Sequence, residues 1–173
     1  MARRSREEKY PNTDTFFYYN ANPKGRITGD CSIRARCTAL DEDYNKTLMD
    51  AVRTQIDTGY AMDDVKGIAK HMERRGWEKH IQPRKADNTK YTGAEFCKLL
   101  DKWWDGSPVL CNIGGNHTVC IKQAKHWDGL WHYKVHDIWD STGGCIGNWW
   151  TESHGSDIVQ GMIFIDDNWS DFV

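Results

Sequence analysis

The segment Asp105-Gly106-Ser107-Pro108 divides the chain into two parts with different hydrophobic periods. Before it, apolar residues recur at helical spacing. After it, they alternate at the period of two that belongs to strands. The upstream helices are expected at about 31–40, 44–56, 64–75 and 92–104. The downstream strands are expected at 109–113, 117–124, 130–139 and 158–166. Helices followed by mostly antiparallel strands imply an α+β domain.

Local signals refine this. In the first helix Ile33, Cys37 and Leu40 fall at i, i+4 and i+7 and should bury one side. The second carries Tyr44, Leu48, Val52 and Ile56 (or Ala51) and ends at Gly59. The third has Asp63 as N-cap, the stripe Val65, Ile68, Ala69 and Met72, and Gly76 beyond its end. Thr92-Gly93-Ala94-Glu95 reads as a capping box. It opens a helix with Phe96, Leu99, Leu100 and Trp103 on one face. Trp77–Ile81 is a short extended segment, and 82–91 reads as a polar loop with Arg84, Lys85 and Lys90 as a basic patch. Trp127-Asp128-Gly129 fits a hairpin, and 141–156 is a glycine-rich loop. Residues 1–13 are expected to be a mobile tail and 14–173 a single domain.

Cys31 is the residue with the clearest chemistry. It follows Gly29-Asp30 at a helix start, where unpaired N–H groups and the helix dipole favour a thiolate over a thiol. Two later residues can complete a site. His117 stands where the turn Gly114-Gly115-Asn116 becomes a strand, with Val119 and Ile121 at period two. Asp137 shares a strand face with Trp131, Tyr133, Val135 and Trp139. An acidic group on such a face needs a partner, and an imidazole would serve. A thiol, an imidazole and a group that orients the ring are the parts of an activated nucleophile.

Cys31 opening a helix, His117 opening a strand and an acidic residue on the next strand resemble the papain-like cysteine peptidase superfamily. Asn20–Leu40, Gln82–Asp87, Asn116-His117 and His136-Asp137-Ile138-Trp139-Asp140-Ser141 also resemble small phage and prophage proteins of Gram-positive bacteria. The resemblance spans about 20–150. It implies a papain-like fold and a Cys31, His117, Asp137 triad, without naming a substrate. Papain-like peptidases usually carry a Gln a few residues before the Cys. This chain has Lys24-Gly25-Arg26-Ile27-Thr28 there, so Asn20 and Asn22 are the side-chain candidates for an oxyanion donor.

Rival readings remain beside this one. Asp140 competes with Asp137, His136 with His117, and Cys145 with Cys31. His132 and His136, at i and i+4, are the one pair spaced for zinc. Nine Trp residues are unusual for 173 residues. Trp139, Trp149 and Trp150 are candidate walls of a cleft, with core filling as the plainer role.

A net charge of −2 gives no general surface for nucleic acid or membrane. The polar start Met1–Lys9 leads to the expectation of no signal peptide, and no apolar stretch approaches the ~20 residues of a membrane span. A cytoplasmic location, in a host cell if phage-encoded, is therefore expected. Reduced cysteines and no cofactor are expected with it. The function indicated is a cysteine-dependent peptidase, isopeptidase or amidase acting on a peptide or protein. The alternatives are an inactive scaffold that binds and blocks a host protein, and a lysin acting on peptidoglycan peptides.

Overall fold

The computed structural model describes residues 30–79, 85, 87–103, 109–113, 117–137, 146–150 and 158–165. Helices α1 (Cys31–Leu40), α2 (Tyr44–Thr58) and α3 (Val65–Arg74) come first. Two short strands, β1 (Glu78–Lys79) and β2 (Tyr91–Thr92), precede α4 (Gly93–Trp103). The long strands follow: β3 (Val109–Ile113), β4 (His117–Trp127), β5 (Leu130–Asp137), β6 (Ile146–Trp150) and β7 (Ile158–Ile165). They form an antiparallel sheet in the order β1-β7-β3-β4-β5-β6, and β2 also pairs with β7. The expected order of helices followed by an antiparallel sheet is thus observed. Tyr91, read as loop, is a strand residue instead, because it pairs with Val159.

Alternation along β3 and β4 sends side chains to two separate cores. Val109, Cys111, Val119 and Ile121 pack with Phe96, Cys97 and Leu100 of α4 and with Tyr133 and Val135 of β5. Leu110 and Cys120 face the other way, toward Ala35 and Ala39 of α1 and Ile68, Ala69 and Met72 of α3. The central sheet is therefore covered on both faces.

Helix α1 departs most from its sequence reading. One buried face was expected, yet every residue from Ser32 to Ala39 is buried. The helix lies between the sheet on one side and α2 and α3 on the other. Its polar side chains must then find partners inside the protein. Thr38 donates to the Arg34 carbonyl at 3.2 Å. Arg36, fully buried, donates to the Ser32 carbonyl at 2.9 Å, to Ser32 Oγ at 3.1 Å and to the Met62 carbonyl at 2.6 Å. It also lies 3.0 Å from His71 Nδ1. Since a guanidinium only donates, Nδ1 is the acceptor and the His71 proton sits on Nε2.

The second helix also differs in phase. Its buried residues are Thr47, Ala51 and Thr54, while Ile56 is 69% exposed and Met49 63%. Threonine satisfies its own hydroxyl inside a helix, as Thr54 does on the Asp50 carbonyl at 2.8 Å. It can therefore take a buried position that an apolar count overlooks. In α3 the N-cap is Asp64 rather than Asp63, and the expected stripe packs into the core. Gly67, buried in that helix, touches the preceding loop so closely that a Cβ would lie 1.8 Å from the Ala61 carbonyl oxygen.

The capping box at the start of α4 forms as read. Thr92 N–H donates to Glu95 Oε2 at 3.0 Å, and Glu95 N–H to Thr92 Oγ1 at 3.2 Å. Lys85, counted in a basic patch, instead pairs with Glu95 at 2.6 Å. Asp128 and Gly129 form the hairpin turn, both at positive φ (51° and 73°), between the paired Trp127 and Leu130. This is the geometry of a two-residue primed turn.

Two outcomes are expected. Gly67→Ala should lower stability by about 2 to 3 kcal/mol, read from the urea midpoint, because backbone rather than a flexible side chain must move. Burial first, and then the Arg36 cation, push the His71 imidazole down to about 4. The unfolded chain takes up this proton near pH 6.5 and the folded chain does not. Stability should therefore fall as pH drops from 6.5 toward 4, by up to about 3 kcal/mol from this residue. His71→Gln, which keeps an acceptor for Arg36, should flatten that slope.

Candidate active site

The site begins at the N-terminus of α1. Asp30, at the N-cap, makes no side-chain cap to the helix. Its carboxylate instead accepts from Arg34 at 3.1 Å and from the Tyr44 hydroxyl at 2.9 Å. The first-turn N–H groups are thereby left to other acceptors. Cys31 is the first helical residue and is half-buried.

The packing of α1 across β3 and β4 brings that end of the helix to the start of β4. His117, the first residue of β4, hydrogen-bonds the Cys31 sulfur. The backbones of Thr118 and Ser32 also engage it. Burial alone would raise the Cys31 thiol. The hydrogen bond from His117, the backbone contact of Thr118, the charge of the imidazole and the Ser32 backbone together outweigh it, so the thiol lies below its ordinary value.

The remaining described cysteines contrast with this. Cys37 is buried in the core, as its helical register indicated, and burial pushes its thiol up to about 11. Burial first, then Cys120 and Cys97, raise the Cys111 thiol well above its ordinary value. All five described cysteines are free thiols.

The structure thus brings Cys31 and His117 together across 86 positions of sequence. Asp137 ends β5, the strand paired with β4, with its Cα opposite Ile146. Trp149 and Trp150 end β6, opposite Lys134 and Tyr133. Asn20, Asn22, Trp139, Asp140 and Cys145 lie outside the described residues. His132 stands across from Lys125 and His136 across from Cys120. No group of three His, Cys, Asp or Glu among the described residues is gathered to hold a metal. No described helix is long and apolar enough to cross a membrane.

Sequence reasoning missed the polar groups around the thiol. Ser32 and Arg36 lie off the expected Ile33, Cys37, Leu40 stripe, yet both are buried. Asn112, on β3 directly across from Thr118, is also buried, and its Oδ1 accepts no hydrogen bond among the described residues.

No family model matches the chain, and no curated protein matches it. A solved structure of a double-glycine-motif protease from an AMS/PCAT transporter, in complex with the leader peptide, is similar to it. The likeness covers 79% of this chain and 84% of that one, at 16% identity and a TM-score of 0.44.

Native alkylation with iodoacetamide, followed by peptide mass spectrometry, should find Cys31 labelled at pH 6 at least about a hundredfold faster than Cys37 or Cys111. The advantage should vanish in His117→Ala. Uniform labelling of the cysteines in the native protein would remove the basis for a thiolate–imidazolium pair.

Proposed function

We propose that the chain is a cysteine-dependent hydrolase of papain-like arrangement, acting on an amide, isopeptide or thioester carbonyl of a peptide or protein. The observation that carries this reading is the Cys31–His117 contact at the uncapped start of a buried helix. A structural cysteine has no need of an imidazole, two backbone contacts and a lowered thiol.

In this reading the Cys31 sulfur, its proton held by His117, attacks the carbonyl carbon. Negative charge moves to the carbonyl oxygen. The Cys31 backbone N–H stabilises it, and Asn20 or Asn22 supplies a side-chain donor. As the C–N bond breaks, His117 returns its proton to the leaving amine, and an acyl-thioester remains on Cys31. His117 then deprotonates a water, which attacks that carbonyl, and Cys31 leaves as the thiolate. Asp137 orients the imidazole, and Trp139, Trp149 and Trp150 wall the cleft.

Cys31→Ala should abolish hydrolysis of a fluorogenic peptide library, by about a thousandfold or more, while its circular dichroism stays that of the parent. Asp137→Asn should lower kcat, and Asp140→Asn should leave it near the parent value. Turnover undiminished in Cys31→Ala would sink the reading. Tight binding of a protein target by both parent and Cys31→Ala, with no cleavage by either, would replace it with that of a blocking scaffold.

A further inference from the structure

Arg36 is a cation placed where charge is costly. It is fully buried, and among the described residues no carboxylate lies within salt-bridge distance of it. All of its hydrogen bonds go to neutral groups: the Ser32 carbonyl and hydroxyl, the Met62 carbonyl and His71 Nδ1. A buried charge without a counter-ion is strongly destabilising unless another group compensates it.

The direction of the side chain shows what that group is. Helical side chains lean toward the N-terminus of their helix. Arg36 runs back one turn and closes on Ser32, the residue next to Cys31. The guanidinium therefore stands beside the first turn, close enough to Cys31 for the two charges to couple. His117 approaches the sulfur from β4. The other charged or titratable groups around this pair are Cys37 on α1, His71 on α3, Asp63 in the loop before α3, and Asp30. Asp63 is exposed, His71 is neutral, Cys37 is a protonated thiol, and Asp30 is engaged by Arg34 and Tyr44. Asp63 favours the Arg36 charge from its exposed loop, and a thiolate at Cys31 is the second anion that does so.

We propose that Arg36 is a positioning residue of the site: a buried cation that clamps the first turn of α1 through Ser32 and serves as the second countercharge, after His117, to the Cys31 thiolate. The proposal rests on the reading of Cys31 as a nucleophile. Electrostatic coupling between Cys31 and Arg36 has the sign it requires, since a charge on Cys31 favours the charged form of Arg36. His71 has a defined part, because its neutral Nδ1 accepts from Arg36 without cancelling the charge.

The test is the pH dependence of Cys31 alkylation in the full chain. In Arg36→Met the acid limb should move up by about one pH unit, so that labelling at pH 6 slows about tenfold. In Arg36→Lys, which keeps the charge and loses the planar clamp, the limb should stay near its parent position while the thermal midpoint falls. A folded Arg36→Met with the parental limb would overturn the proposal. So would an Arg36→Lys whose limb moves toward that of an ordinary thiol. If Arg36→Met does not fold, Arg36→Lys decides alone by the same criterion. A parent protein without an acid-shifted limb defeats the nucleophile reading itself. A parental limb that disappears in His117→Ala but ignores Arg36 defeats only this inference.

Discussion

The total burial of α1 is the constraint on which the rest of this structure depends. A helix surrounded by protein can keep polar side chains only where partners are built for them. The sheet fills one side with Leu110 and Cys120, and α2 and α3 fill the other with Ala51, Ile68 and Met72. Ser32 and Thr38 find partners within α1 itself, and Arg36 reaches outward to its neighbours. Arg36 alone ties α1 to α3 through His71 and to the loop between α2 and α3 through Met62. Little of this helix is free to shift without breaking a buried hydrogen bond, and Cys31 inherits that rigidity.

Cys31 sits at the N-terminal end of α1, where it is half-buried. Its position joins two physical effects that oppose each other. Partial burial disfavours a thiolate, while His117, the Thr118 and Ser32 backbones and the helix start favour it. The thiol ends below its ordinary value because His117 and the two backbones outweigh burial, while Asp30 spends its carboxylate on Arg34 and Tyr44. A conventional N-cap there would have competed with the sulfur for the same donors.

Much of the architecture was legible in the sequence because it rests on local signals. The change of period at 105–108, the Thr92–Glu95 capping box, the Asp128-Gly129 turn and the α3 stripe each follow from backbone chemistry within a few residues. Cys31 and His117 were legible for the same reason, each standing at a helix or strand start with a chemical consequence. The deep burial of Arg36, Ser32 and His71 was not, because it depends on what packs over α1 from more than 30 residues away. Nor was the phase of α2, where threonines with partnered hydroxyls, Thr47 on Glu42 and Thr54 on the Asp50 carbonyl, replace aliphatic residues on the buried face. In both cases charge and hydroxyl groups counted as surface markers are interior parts.

The register slip in β4 between Ile121 and Gln123 has a wider meaning. Ile121 and Ala124, three residues apart, both enter the same core, which strict alternation would forbid. The eleven-residue strand is thus two segments mechanically in series. One carries His117 against α1, and the other pairs with β5 and sends Ala124 into the core. The irregularity acts as a joint between the segment that meets the sulfur and the segment that ends in the hairpin. Over evolutionary time the hairpin tip can lengthen, shorten or change its surface without disturbing the alignment of imidazole and sulfur.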